Sequence, residues 1–112
     1  MAASVVNLTI EKGADFEASF YVTGDDGDKL NLLFTTAFAR IRKYPTSPKY
    51  TNFSVGISTE YGEINVSMAR SVTSDLESGR NYFDVFIENS QMDFVTRVVT
   101  GTIIVEDTTI WE

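Results

Sequence analysis

Two groups of acidic residues are the first candidates for chemistry in this sequence. Asp75 and Glu77 offer the paired carboxylates that glycoside hydrolases use. They lie two residues apart in a polar stretch, however, and a capped surface turn explains them better. Asp25, Asp26 and Asp28 offer oxygen ligands at a spacing that calcium accepts, but no bidentate Glu follows at the distance that a calcium loop requires. Because an Asp-Gly pair favours a hairpin turn, we interpret this second group as a solvated hairpin tip.

The residue types that catalysis most often needs are missing. The chain has 112 residues, and none of them is histidine or cysteine. Without a histidine, Ser71, Ser74 and Ser78 cannot form a serine triad, and the sequence contains no G-x-S-x-G elbow. We therefore predict that the protein is not an enzyme, and that it has no catalytic residue, no metal site and no cofactor.

The charge of the chain bears on its partners. Nine basic and sixteen acidic residues give a net charge of −7. A negative surface repels phosphate backbones and anionic lipids, so we predict that the protein binds neither nucleic acid nor membrane. A basic cluster interrupts this acidic background at Arg40, Arg42, Lys43 and Lys49. The cluster either binds an acidic partner or protects the outer face of a strand from aggregation.

The elements that position these residues are predicted to be strands. Apolar and polar residues alternate along most of the chain, which is typical of half-buried antiparallel strands. About seven such runs follow one another, and no stretch has a helical period beyond one turn. We predict a single domain over residues 1–112 with an all-β fold, an antiparallel immunoglobulin-like β-sandwich of about seven strands, with a small barrel as the alternative. The sheet to which each strand within residues 29–61 belongs stays open.

Bulky residues on the outer faces of these strands are candidates for binding a partner. Tyr82 and Phe86 lie opposite the inward run of the same strand, so this strand is apolar on both faces. Such a second face is either an interaction surface or is covered by a loop. Trp111, the one tryptophan, either docks on its own domain or anchors the chain to a neighbour. Together with Arg40 and Arg42, these residues form our predicted partner-binding set.

Three tyrosines in or near loops offer a different function. Tyr44, Tyr50 and Tyr61 carry rings that could stack on sugars, which predicts a small carbohydrate-binding or host-attachment module as the alternative. Their spacing follows no regular pattern, so we rank this interpretation second.

The stretch SVTSDLESGRNYFDVFI, residues 71–87, is predicted to be a structural corner. Ser71 or Thr73 can cap one helical turn, and Gly79 allows the chain to reverse. Leu76 can close the end of the core. Tyr82 follows the turn at the place of a tyrosine corner, whose hydroxyl binds backbone a few residues upstream.

The amino terminus predicts no export signal. The segment MAASVVNLTIEKG has no basic region and no long apolar run, and no window of the chain is apolar enough to span a membrane. If the protein leaves its cell, we expect it to do so without a secretory signal, for example inside a particle.

The order of segments resembles the small immunoglobulin-like modules of tailed-phage virion proteins, such as the N-terminal domain of baseplate upper proteins. The segments in question are KGADFEASFYV, AFARIRK, GEINVSMARSVTSDLESGRNYFDVFI and GTIIVED, and the likeness covers roughly residues 5–107. The residues that carry it are Gly13, Phe16, Phe20, Ala39, Ile41, Arg42, Gly62, Ile64, Leu76, Gly79, Tyr82, Asp84, Val85, Gly101 and Val105.

The resemblance implies a structural or attachment module of a virion. A domain that stands alone would fit a tail or baseplate subunit or a capsid decoration protein. It implies assembly in the host cytoplasm and a final location in the virion. The implied partners are other virion proteins, with a homo-oligomer as an alternative.

Overall fold

The structure is a computed structural model that describes residues 4–23, 32, 34–58, 62–91 and 93–107. Strands make up most of this part of the chain, as the alternating sequence predicts. The elements are β1 (Ser4–Glu11), β2 (Phe16–Tyr21), β3 (Thr35–Arg42), β4 (Thr51–Asn52), β5 (Ser54–Ser58), β6 (Glu63–Met68), α1 (Arg70–Thr73), β7 (Gly79–Asn89) and β8 (Phe94–Glu106).

The strands form two sheets that pack as a sandwich. One sheet has five strands in the order β1-β8-β7-β3-β4, and the other has three in the order β2-β6-β5. Immunoglobulin domains place strands B, E and D in one sheet and C, F and G in the other. When the strands are lettered in chain order, β2, β6 and β5 correspond to strands B, E and D. Strands β3, β7 and β8 correspond to C, F and G. The predicted all-β immunoglobulin-like sandwich is therefore confirmed.

The structure differs from the prediction in two details of the sheets. Eight strands are present in the described ranges rather than about seven, because a two-residue strand, β4, pairs with β3. In addition, β1 pairs with β8 in parallel, so the sandwich is not antiparallel throughout. Alternation of side chains is the same in parallel and antiparallel edge strands, so the sequence pattern could not reveal this direction.

The inward faces of both sheets form one hydrophobic core. Phe20 on β2 and Phe83 on β7 stack across the two sheets, with ring centroids 6.2 Å apart. Antibody domains join the corresponding strands, B and F, by a disulfide. Here a pair of aromatic rings links the sheets in a chain that has no cysteine.

Strand β1 approaches β8 unusually closely at Gly101. This glycine lies opposite Val6 in the parallel ladder. A Cβ atom built on Gly101 would lie 1.7 Å from the carbonyl oxygen of Val6. Only a residue without a side chain fits there, so Gly101 permits the pairing of β1 with β8.

Helix α1 is fixed to the turn between β1 and β2 by side chains. The buried hydroxyl of Thr73 accepts a hydrogen bond from the Gly13 N–H at 3.1 Å and donates to the carbonyl oxygen of Ala14 at 2.9 Å. Asp15 accepts a hydrogen bond from the Arg70 N–H at 2.8 Å. This contact occupies one of the N–H groups that the start of a helix leaves free.

The predicted capping residues of this helix are therefore wrong. Ser71 and Thr73 both lie inside the helix, and the residue at the N-cap position, Ala69, has no capping side chain. The carboxylate of Asp15, from a distant part of the chain, binds the helix start instead. Spacing within the segment could not show a contact that the tertiary fold supplies.

The predicted tyrosine corner is also wrong, by one residue. Tyr82 lies on the outer face of β7, whereas Asn81 is buried and lies two residues before the inward-facing Phe83. The side-chain amide of Asn81 donates to the carbonyl oxygens of Glu77 at 2.9 Å and Gly79 at 3.2 Å. Asn81 thus makes the upstream backbone contacts expected of a corner tyrosine.

Other features of the corner agree with the prediction. Leu76 is buried, and Gly79 has a φ of 99°, a backbone conformation that favours glycine. The stretch 71–87 is therefore a structural corner that carries the chain from one sheet to the other.

Strand β8 contains a bulge opposite β7. Val85 pairs with Val99, but Phe86 pairs with Arg97, which leaves Val98 as an extra residue. Both Val98 and Val99 are buried. The bulge reverses which residues of β8 face outward, so that Val95 and Arg97 lie on the outer face of the sheet.

Candidate functional site

The predicted partner-binding residues of β3 and β7 lie together on one outer face. In the β3–β7 ladder, Arg40 is opposite Asp84, Arg42 is opposite Tyr82, and Phe38 is opposite Phe86. All of these side chains point away from the core of the sandwich, because the residues between them are buried. A shallow groove crosses this face, and we call its lining the outer patch: Phe38, Phe86, Val95, Arg40, Arg42 and Asp84.

The floor of the outer patch is apolar. Phe38 and Phe86 are directly opposite each other, and their side chains remain 40% and 37% exposed. Val95 is 65% exposed beside them. Within the described ranges no loop covers this face, although a covering loop was one of the two expectations. Neighbouring exposed aromatic side chains are typical of interaction surfaces.

Two members of the floor were not among the predicted site residues. The alternation of β3 places Phe38 on the outer face, so a signal for it was present in the sequence. Val95 is exposed because of the bulge in β8, and alternation alone gives no sign of that bulge.

The basic side of the outer patch is organised by Tyr50. The guanidinium of Arg40 lies 4.3 Å from the centroid of the Tyr50 ring, and that of Arg42 lies 4.9 Å from it. Arg42 also donates a hydrogen bond from Nη1 to the carbonyl oxygen of Ser47 at 2.6 Å. The two arginines of the predicted basic cluster and one of the predicted sugar-binding tyrosines are thus in contact.

The acidic residue of the outer patch, Asp84, forms its ion pair with a residue outside the patch. Asp84 is opposite Arg40 in the ladder, but its carboxylate forms an ion pair with Arg97 on the other side, at 3.5 Å. Among the described residues, no carboxylate lies within ion-pair distance of Arg40 or Arg42. The arginine side of the patch is therefore positively charged on a chain whose net charge is negative.

A second groove lies at one end of the sandwich. It is bounded by the loop after β3 and the corner before β7, and it includes the side chains of Tyr44, Tyr50, Asp75 and Glu77. Asp75 and Glu77 are exposed, as a surface turn predicts. Lys43 donates a hydrogen bond from Nζ to the carbonyl oxygen of Ser78 at 2.7 Å, which joins the two sides of the groove.

Several predicted residues lie outside the described part of the chain. These are Trp111, Tyr61 and the acidic group Asp25, Asp26 and Asp28. Among the described residues, no cluster of three potential ligands could hold a metal ion. No helix in the described ranges is long and apolar enough to cross a membrane.

The outer face of the three-stranded sheet has a different character. Tyr21 and Glu63 lie opposite each other on β2 and β6. The hydrogen bond between the Tyr21 hydroxyl and the Glu63 carboxylate, together with the negative charge of Glu63, raises the pKa of Tyr21 above its ordinary value. Glu17, Ser19, Asn65 and Ser67 lie on the same face, which is therefore polar and acidic, in contrast to the outer patch.

Comparison with known proteins adds only distant likenesses. No protein-family model matches the chain, and no curated protein matches it in sequence. Among solved structures, AggA, the major subunit of aggregative adherence fimbriae type I from Escherichia coli, is similar with 11% identity and a TM-score of 0.43, over 91% of this chain and 89% of AggA.

A second similar structure belongs to a larger protein. A family 123 glycoside hydrolase from Clostridium perfringens is 11% identical with a TM-score of 0.39, and the match covers 94% of this chain and 23% of the hydrolase. Likenesses at this level carry no argument, so the fold assignment depends on strand order and pairing. The resemblance to phage virion modules stays a prediction.

Proposed function

We propose that the protein is a non-enzymatic structural subunit of a tailed-phage virion, in the tail, the baseplate or the capsid decoration. In this proposal it assembles in the host cytoplasm and stays in the finished particle. The subunit works by burying the outer patch against another virion protein. The observation that carries the proposal is the pair Phe38 and Phe86, two aromatic side chains that face outward from the five-stranded sheet.

The physical reason for assembly is the burial of this apolar floor. Interfaces concentrate aromatic residues and arginine at their centres, and a few such residues supply most of the binding energy. The outer patch combines both residue types on two neighbouring strands, β3 and β7. Strands fix the backbone, so these side chains already point toward a partner and only their rotamers have to be ordered on binding. The assignment to a phage particle is supported by the sequence resemblance described above.

The experiment that tests this proposal uses particles of the phage whose genome encodes the chain. Mass spectrometry of gradient-purified particles should detect the wild-type protein. The Phe86→Ser variant should be retained at a level lower by roughly tenfold or more, because it removes a central aromatic anchor. Val5→Ser is the matched control, since Val5 is also exposed on the outer face of this sheet but lies on the edge strand β1.

Three results would count against the proposal. Absence of the protein from particles would contradict a virion role. Equal retention of folded Phe86→Ser and Val5→Ser would contradict assembly through the outer patch. Turnover found in a broad hydrolase screen would overturn the non-enzymatic part.

The second groove, between the loop after β3 and the corner before β7, favours a carbohydrate-binding module as the second candidate function. It brings Tyr44 and Tyr50 into one groove with the polar side chains of Asp75 and Glu77, a combination suited to sugar rings and hydroxyls. Tyr50 cannot serve as a clean test, because its ring also contacts two arginines. Tyr44→Ala is the informative variant. Loss of glycan-array retention in that variant would support this candidate, and no retention by the wild type would exclude it for the glycans on the array.

A further inference from the structure

The arginine pair of the outer patch is held in a fixed arrangement. Arg40 and Arg42 are two residues apart on β3, and both guanidinium groups contact the ring of Tyr50, at 4.3 and 4.9 Å from its centroid. The hydrogen bond from Arg42 to the Ser47 carbonyl oxygen fixes the second group further. Side chains that are ordered before binding lose less conformational entropy when a ligand arrives.

This pair retains unused hydrogen-bond donors. A guanidinium group has five N–H donors and no acceptor. Among the described residues, Arg40 makes no hydrogen bond and no ion pair, and Arg42 makes only the bond to Ser47. Asp84, the nearest carboxylate across the ladder, pairs with Arg97 instead. Two positive charges therefore lie beside each other without a carboxylate from the described part of the chain.

The chemistry of the pair selects an oxyanion ligand. The planar donors of arginine match both carboxylate and phosphate, so geometry alone allows either. The net charge of −7 argues against an extended phosphate polymer, which would run from this small basic area onto acidic surface. A short acidic segment is different, since charges farther away than about 8 Å are screened at physiological salt.

The apolar floor further restricts the class of ligand that fits the groove. Phe38, Phe86 and Val95 line the same groove as the two arginines. A phosphate or a sulfate has no apolar group to place on this floor. A protein segment that carries an aromatic or aliphatic side chain next to acidic ones can use both parts of the groove.

We propose that Arg40 and Arg42, stacked on Tyr50, bind carboxylates of an acidic segment in a neighbouring protein, whose apolar side chain packs on Phe38 and Phe86. The inference depends on the proposed assembly function and specifies the chemistry of the partner. Its basis is charge complementarity between a basic, apolar groove and an acidic, apolar segment.

The test measures binding of the purified protein to labelled polymers by fluorescence anisotropy. The principal probe is the random copolymer of glutamate and tyrosine, which combines carboxylates with aromatic rings. Polyglutamate, the copolymer of lysine and tyrosine, and single-stranded DNA are the comparison probes. We expect the glutamate–tyrosine copolymer to bind roughly tenfold more tightly than polyglutamate, and to bind more weakly as salt is raised.

Matched variants separate the site from the overall charge. Arg40→Gln should weaken copolymer binding by roughly tenfold or more. Arg80→Gln changes the net charge equally. Arg80 lies on the outer face of the same sheet but does not line the groove, so this variant should alter binding by less than about twofold. Tyr50→Leu keeps both arginines but removes the ring that orders them. It should weaken binding several-fold, a change that charge alone would not produce.

Each outcome decides the inference. Equal losses in Arg40→Gln and Arg80→Gln, tighter binding of DNA than of the copolymer, or no copolymer binding would each overturn it. If the copolymer does not bind but the Phe86→Ser variant is still lost from particles, the proposed function stands and only the proposed chemistry of the partner is wrong. Self-association that light scattering detects in the wild type and Arg80→Gln, but not in Arg40→Gln, would support the inference with a second copy as the acidic partner.

Discussion

Replacing Gly101 with alanine should detach β1 from β8. The new Cβ atom would lie 1.7 Å from the carbonyl oxygen of Val6 and 2.8 Å from its carbonyl carbon. Both neighbours are backbone atoms, so no side-chain rotation can relieve the contact. The two strands must separate by more than about 1 Å, because Cβ contacts below 3.0 Å essentially never occur.

The size of the effect follows from what this separation disrupts. A hydrogen bond lengthened by about 1 Å lies outside the usual range, and each lost ladder bond costs about 1 kcal/mol net. With two or three bonds lost near Val6, and part of the buried surface of Leu8 exposed, we expect a loss of about 3 kcal/mol. For a domain of this size that corresponds to a drop in Tm of roughly 10 °C.

Gly56→Ala is the matched control for this variant. Gly56 lies on β5, and a Cβ atom built there has no heavy atom within 4 Å. The same substitution at an open site should leave stability unchanged or raise it by up to about 1 kcal/mol, because alanine restricts the unfolded chain. Of the two variants, only Gly101→Ala is therefore expected to lose stability.

Urea unfolding followed by circular dichroism measures both variants, and hydrogen exchange locates the damage. In Gly101→Ala the amides of β1 should lose protection before those of β2 and β6, which belong to the other sheet. The reasoning is refuted if Gly101→Ala unfolds within about 0.5 kcal/mol of the wild type. It is refuted equally if the loss of protection is uniform across both sheets.

Two further predictions concern polar contacts. Thr73→Ala should cost about 2 kcal/mol in urea unfolding, because the buried Gly13 N–H loses its acceptor; Thr73→Ser should retain most of the stability, and equal losses in the two variants would contradict this role. In an absorbance titration Tyr21 should ionise above the ordinary pKa of tyrosine, and Glu63→Gln should lower its pKa. Because the folded-state pKa is raised, the Tyr21–Glu63 contact stabilises the fold below about pH 10 and is lost as the pH rises through the raised pKa. Tyr21→Phe should therefore lose less stability than the wild type over that alkaline interval, and identical pH profiles would argue against the contact.

The alternation of side chains predicted the fold class and the main faces of the strands. It placed Phe83, Val85 and Ile87 inward and Tyr82 and Phe86 outward, and the structure agrees. Burial on one face imposes this period on any strand, so the pattern is readable without tertiary information. The same rule explains why the corner prediction failed. A shift of one residue, from Tyr82 to Asn81, moves the side chain to the opposite face of the sheet.

Features that depend on the partner strand were not predictable. The bulge at Val98 is defined by the pairing of β8 with β7, and the sequence of β8 alone does not show which of its residues lacks a partner. Val95 is exposed as a consequence, so the apolar floor of the site is larger than alternation indicates. The parallel pairing of β1 with β8 likewise depends on the partner strand, where Gly101 lies opposite Val6.

Tyr50 shows why the candidate site could be only half predicted. Arg40 and Arg42 share a face because they are two residues apart on a strand, and the sequence states this directly. Tyr50 follows a loop with two prolines, and it was assigned to a different function because nothing in the sequence fixes where that loop returns. The pairing of Thr51 and Asn52 with β3 brings its ring onto the two guanidinium groups. A pair of charges that alternation alone would interpret as a solvated strand face thereby becomes an ordered pair of donors beside an apolar floor. We therefore expect the proposed binding to depend on Tyr50 as well as on the arginines, and Tyr50→Leu separates the two contributions.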